Sequence, residues 1–228
     1  VWGVTVFDVR AEEYDLWFEE NKLILQAEIN ALRPYVPQIG KGLEVGVGTG
    51  RFAASLGVEV GIDPARRPLQ FARTRGIKVC QAFGEYLPFE ANHFDYASLV
   101  TVDPFVPDLV CLLNEIWRVL KPDGLLILGM IDKSSPLGQM YEAHKEEDPF
   151  YKVARFHTTE EVISNLEQTG FKVLEASQTI TGIPDTKAST EQVQEGYTVD
   201  ALQIQEGHGE GAFVSLKAEK KTTTSIST

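Results

Sequence analysis

Cysteine is nearly absent from this chain of 228 residues: Cys80 and Cys111 are the only two, and both lie inside apolar runs. Two thiols so placed offer no disulfide framework, and core packing is the expected role of both. Long apolar runs are missing too. The longest, LLILGMI, has strand length and falls far short of the ~20 apolar residues of a membrane helix. Positive charge is scarce, with 21 Lys and Arg against 33 Asp and Glu and a net charge of −12. That weighs against a nucleic-acid backbone as partner, because such binding needs basic side chains to displace counterions. A local cluster, Arg66, Arg67, Arg73 and Arg75, falls on a predicted helix and reads as a solvated face. No basic leader with an apolar core opens the sequence, so a cytoplasmic protein without a secretion signal is expected. His93 reads as a surface residue, and His144 and His208 have no partners at metal-ligand spacing, so no metal is expected.

What is present is alternation. Residues 8–33 carry Leu16, Leu23, Ala27 and Ala31 at helical spacing, and Pro34 and Pro37 follow as a stop. LEVGV reads as a strand, residues 49–56 as a short helix, VEVGID as a second strand and PARRPLQFART as a helix with Pro64 near its start. IKVCQAF and FDYASLVTV read as further strands. DLVCLLNEIWRVL is an amphipathic helix closed by KPDG, and LLILGMI a buried strand. Residues 133–157 look irregular, charged and aromatic. Thr158 with Glu161 forms a capping box for a helix that Gly170 would end. FKVLEASQTI and GAFVSLKAEK are two late strands with no helical pattern between them, which suggests an antiparallel pair at one edge. The expected fold is α/β: a doubly wound, mostly parallel sheet of about seven strands with helices on both faces. One domain is expected over residues 1–220, with a helical cap at 1–38, a lid-like insertion at 133–157 and a polar tail at 221–228.

Gly46, Gly48 and Gly50 raise the functional question, because glycines at alternate positions let a ligand approach the backbone closely. A phosphate loop needs Lys and then Ser or Thr after its last glycine, whereas Arg51 and Phe52 follow here. A dinucleotide pattern can be forced on Gly48, Gly50 and Ala53, but Asp63 comes early for its ribose acid. Counting instead from Glu44 gives acid-x-Gly-x-Gly-x-Gly. LEVGVGTGRF in this form resembles the first motif of the Rossmann-like, class I S-adenosylmethionine-dependent methyltransferases, and within them the ubiquinone- and menaquinone-biosynthesis-like group. GIDPA, GEYLPFEANHFDYASLV, EIWRVLKPDGLLIL and RFHTTEEVISNLEQTGFKV resemble later segments of that family, in family order.

The resemblance implies S-adenosylmethionine as cofactor and S-adenosylhomocysteine as product. Gly46, Gly48 and Gly50 would serve its amino-acid end and ribose. Glu44 would support the loop and the cofactor ammonium, and Asp63 would accept from both ribose hydroxyls. Many relatives carry Asp where this chain has Phe83. Phe83 can flank the adenine, with Gly84 offering a backbone N–H and Glu85 nearby. Ligands of doubly wound sheets gather beyond the carboxyl ends of the strands, where Thr101 and Asp103 fall. Asp103 could act as base or orient an amine, although Asp-Pro is also ordinary turn chemistry. His157 reads either as structural or as a proton-transfer group. Tyr14, Trp17 and Phe18 resemble the family's cofactor-covering amino-terminal helix, with simple docking on the sheet as the alternative. Tyr141, Tyr151, Arg155 and Phe156 belong to the insertion, where the aromatics could cover an apolar acceptor and Arg155 could hold an acidic one. The expected function is methyl transfer to a small molecule, by a monomer or homodimer, with no nucleic acid or membrane as partner. The rival is a regulatory or scaffold protein that binds the cofactor without transferring its methyl.

Overall fold

The computed structural model describes residues 3–182, 193–194, 197–198 and 200–221. Five parallel strands, β1 (Gly42–Val45), β2 (Val60–Asp63), β3 (Lys78–Gln81), β4 (Phe94–Val100) and β5 (Leu120–Ile131), come first in the chain. The later β6 (Phe171–Thr181) and β10 (Gly211–Lys220) are antiparallel to each other, and β10 is also antiparallel to β5. Short ladders lie between them: β7 (Val193–Gln194) pairs with β8 (Tyr197–Thr198), and β9 (Gln205–Glu206) with β6. The sheet order is β3-β2-β1-β4-β5-β10-β6-β9, eight strands where about seven were expected, with the antiparallel pair on one side as the sequence suggested.

Side chains alternate across this sheet and build one core on each face. From β5, Leu126, Leu128 and Met130 face α6 (Leu109–Val119) and α8 (Thr159–Gln168). Ile127 and Ile131 point the other way, toward α3 (Lys22–Leu32), α4 (Arg51–Leu56) and α5 (Arg66–Thr74). Both faces are covered, which is why these strands read as continuous apolar runs rather than alternating ones. The Thr158–Glu161 capping box is formed, and Gly170 follows α8 at φ 87°. No described helix is long and apolar enough to cross a membrane.

Four expectations are corrected. The single helix over residues 8–33 is instead α1 (Val6–Val9), α2 (Ala11–Glu20) and α3, with a break at Asn21. There the Asn21 amide and backbone N–H both donate to the Trp17 carbonyl (2.8 and 2.9 Å), the local competition that makes Asn a poor helix interior. The break slips the helical phase, so Leu16 is exposed while Ala27 and Ala31 are buried. Residues 133–157 contain a true helix, α7 (Pro136–His144), because Ser135 caps it and Pro136 takes its first position. Cys80 is exposed rather than in the core, since β3 is the sheet's edge strand. The arginine cluster is only partly solvated: Arg67 pairs with Glu12, and Arg75 with Asp15 at 2.9 Å.

Candidate active site

At the carboxyl end of β1 the chain turns through Gly46, Gly48 and Gly50, all at positive φ, into α4. The turn is tied to β2: the Gly46 and Val47 N–H groups both donate to the Ile62 carbonyl at 2.8 Å. Two of the glycines answer to different neighbours. A Cβ on Gly50 would stand 3.0 Å from Cα and Cβ of Ala72, so this glycine lets α4 and α5 approach closely. A Cβ on Gly48 would meet only the Tyr14 ring, at 3.5 Å, so this glycine keeps backbone exposed to a cavity. Gly50 is not on that cavity's wall; Gly46 and Gly48 are.

Asp63 closes β2 at the same place. Its Oδ2 accepts from the Gly48 N–H (2.9 Å) and its Oδ1 from the Ala65 N–H (2.8 Å). Each oxygen keeps a second lone pair, aimed by the first contact. Burial pushes the carboxyl up to about 6, against the pull of those two N–H groups. Glu44 lies off the wall, buried, and takes the Ser98 hydroxyl (3.2 Å) and the Ala53 N–H, so it braces the junction of β1 with α4. Burial pushes it up to about 8.

The cavity has a volume of about 890 Å³. Phe83, Gly84, Glu85 and Thr101 lie on its wall near the glycines' side of the sheet. Gly84 is also where a Cβ would run into Leu112, and Thr101 holds a left-handed turn at φ 52° while its N–H donates to the Gly129 carbonyl (2.7 Å). Tyr14, Trp17, Phe18, Tyr141, Tyr151 and Phe156 all reach the cavity, and ring contacts join them to Phe7, Phe105 and Phe150. Arg155 does not: its side chain is exposed, and its backbone N–H donates to the Pro104 carbonyl. Asp103 and His157 are brought together, Nδ1 to Oδ2 at 3.1 Å, but behind the wall. Burial raises Asp103, and His157 opposes that shift.

Three features escaped sequence reading. Arg51, where a phosphate loop would place lysine, instead reaches Asp15 of α2 through Nε (3.0 Å) and Nη2 (2.7 Å), and Arg75 joins it. Burial would raise Asp15, but the Arg51 and Arg75 hydrogen bonds outweigh it and hold the carboxyl at about 2. This clamp seats α2, and with it Tyr14, over Gly48. Tyr197 of β8 also lines the cavity. So does Glu28 of α3, an acid on an otherwise apolar face; Ile24, Leu25, Ala31 and Leu32 lie three to four residues away on the same stripe.

The donor set suits a nucleoside with a vicinal diol and a cationic tail. Asp63 offers two oriented acceptors, Gly48 offers open backbone, and among the described residues no cluster of cations awaits a pyrophosphate. Known proteins agree with this chemistry. A sequence family described as "Methyltransferase domain" matches residues 43–128. An uncharacterized protein of Methanocaldococcus jannaschii is 44% identical over 95% of this chain and 100% of its own length. A demethylmenaquinone methyltransferase of Staphylococcus saprophyticus is 29% identical over 45% of this chain and 48% of that one. The crystal structure of a Thermotoga maritima SAM-dependent methyltransferase, described as a possible histamine N-methyltransferase, superposes with a TM-score of 0.86. It is 36% identical and covers 95% of this chain and 99% of that one. With such likeness running nearly end to end, this chain belongs to the class I, Rossmann-like methyltransferases, and its cofactor is S-adenosylmethionine.

Proposed function

We propose that the protein transfers a methyl group to a small-molecule acceptor held in the aromatic half of the cavity. The observation that carries this reading is the continuity of one cavity from Asp63 and Gly48 to Tyr141, Tyr151 and Phe156. About 890 Å³ lies near the top of the range for small-molecule sites, roughly 300–1,000 Å³, which leaves space for a cofactor and a second small molecule. When bound, S-adenosylmethionine supplies an electrophilic methyl on a sulfonium. Asp63 would hold the ribose hydroxyls, Gly46 and Gly48 the backbone-facing edge, and Phe83, Gly84 and Glu85 the adenine. Glu44 supports this end from below, and Tyr14 and Thr101 border the reacting centre.

The chain's own contribution to rate is then positioning and exclusion of water. Holding two reactants in line can supply ~7–11 kcal/mol. The helices α1 to α3 and residues 133–157 close the cavity as a cap and lid, and Asp103 with His157 braces the lid's return rather than meeting the acceptor. Incubation with methyl-labelled cofactor and a fractionated metabolite extract tests the reading. Label should appear in a low-mass product. Tight S-adenosylhomocysteine binding with no labelled product from any fraction would favour the regulatory or scaffold alternative.

A further inference from the structure

Glu28 is a buried acid on the cavity's wall whose position the cofactor does not explain. It is 5% exposed, lies on α3 and lines the cavity. Burial alone pushes it up to about 8; among the described residues no hydrogen bond or cation offsets that cost. A buried carboxyl left in this condition is expensive unless a ligand completes it.

Its surroundings are phenols. Burial raises Tyr14, Tyr141, Tyr151 and Tyr197, and in each case the Glu28 charge raises the phenol further. These come from α2, α7, the turn Tyr151–Val153 and β8, and with Glu28 they line one cavity. Tyr14 stands at a divide: it touches the space over Gly48 and feels Asp63 as well as Glu28. Asp63 reaches the cavity from the end of β2 beside Gly48, and Glu28 reaches it from α3.

The sign of the field is the second observation. Among the described residues lining the cavity, Glu13, Glu20, Glu28, Asp63, Glu85 and Asp148 are acids, and Lys152 alone is basic. The Lys152 side chain is well exposed, with its ammonium 4.0 Å from Glu146. A cavity lined in this way favours cations and repels an anionic acceptor. Neutral phenol faces attract cations too, as in aromatic cages for ammonium groups. Arg155, which could have recognised an acid, is outside.

Resting on the methyltransferase reading above, we propose that Glu28 with Tyr141, Tyr151 and Tyr197 forms the acceptor subsite, and that the acceptor is a small organic amine. The amine enters as its ammonium ion on a flat apolar body. It gives Glu28 the charge-assisted hydrogen bond that the protein does not. An N–H bond then breaks, its proton passes to a Glu28 carboxylate oxygen, and the electron pair stays on nitrogen as the attacking lone pair. A carboxyl of raised proton affinity is suited to that exchange near neutral pH. Glu28 is thus the acceptor's anchor and its proton acceptor.

The test is calorimetry on protein saturated with S-adenosylhomocysteine, using phenethylamine, phenethyl alcohol and phenylacetate as probes. The amine should bind about tenfold or more tighter than the alcohol, the difference expected of one hydrogen bond to a charged group, and phenylacetate should not bind. Glu28→Gln should abolish the preference for the amine while its affinity for S-adenosylhomocysteine stays that of the wild type. The wild-type protein gives a second readout that needs no variant. The titratable groups that share the cavity wall with Glu28 are the four phenols, all raised, with Glu13, Glu20, Asp63, Glu85, Asp148 and Lys152. Amine affinity should therefore rise about tenfold or more from pH 6 to pH 8, as Glu28 ionises. Equal binding of amine and alcohol, no amine binding, a preference that survives Glu28→Gln, or a flat pH profile would overturn the proposal. Failure of S-adenosylhomocysteine itself to bind would instead overturn the methyltransferase reading.

Discussion

Asp63→Ala separates a cofactor-binding carboxylate from a structural one. In the free protein its two oxygens hold the Gly48 and Ala65 N–H groups at 2.9 and 2.8 Å. In the proposed complex the second lone pair of each oxygen receives a ribose hydroxyl. Hydrogen bonds to a charged group contribute about 1.5–3 kcal/mol each, so losing two at the lower end weakens binding by about 3 kcal/mol, or ~150-fold. The carboxyl, at about 6, is already ionised at pH 7.5, so little of the loss is hidden by protonation. The fold should tolerate the change. Its folded-state pKa is raised above the ordinary value of 3.8, so its contribution to stability is full below that value and lost as pH rises through about 6. At pH 7.5 the substitution removes that unfavourable charge and leaves two N–H groups without their acceptor, two effects of opposite sign. Calorimetry with S-adenosylhomocysteine, alongside a thermal melt, reads both quantities. Below pH 6 the wild-type affinity should fall about tenfold per pH unit while the variant shows no such fall. Affinity within threefold of wild type in a fully folded variant would refute the ribose assignment. A variant that unfolds, with normal binding in its remaining folded fraction, would make Asp63 a structural acid.

The sequence made the glycine turn, the strand alternation and the ends of α8 legible because each rests on neighbours in the chain. Gly170 stops a helix by its own backbone, and Thr158 caps one within a single turn. What stayed hidden depends on distance. Arg51 looked like a missing lysine until the fold brought Asp15 to it across α2. Asp103 and His157, 54 positions apart, gave no signal of pairing, and the fold sets the pair off the cavity's wall. Asn21 did carry a local signal for the break, but the apolar spacing on either side of it masked that signal. Glu28 was readable in principle: an acid with Ile24, Leu25, Ala31 and Leu32 three to four residues away interrupts an apolar stripe. Recognising it required knowing that the buried face of α3 extends from Ala27 and Ala31 round to Glu28.

Three further outcomes are expected. Residues 135–157 and the Tyr14–Phe18 turn should gain hydrogen-exchange protection when S-adenosylhomocysteine binds, as segments that exclude water must; unchanged exchange in both would make them surface decoration. His157→Ala should lower the melting temperature, since it leaves the buried Asp103 carboxyl without its hydrogen-bond partner at a cost of about 1–3 kcal/mol, yet leave S-adenosylhomocysteine affinity alone. A large loss of turnover without loss of stability would restore His157 to the chemistry. The last outcome concerns pH. Burial raises Glu28 from 4.5 to about 8 in the fold. Between those values the native state binds the proton more tightly than the unfolded chain, so the stability Glu28 contributes is full below pH 4.5 and drains away as pH climbs to about 8. Glu28→Gln keeps the shape and cannot ionise. The melting temperature of the variant should therefore gain on the wild type from pH 5 to about pH 8 and hold that gap above it. The general self-repulsion of a chain with net charge −12 acts on both proteins and cancels in the difference. A gap that does not change with pH would mean that the Glu28 carboxyl is solvated in the native protein, and that the cavity around it is wet.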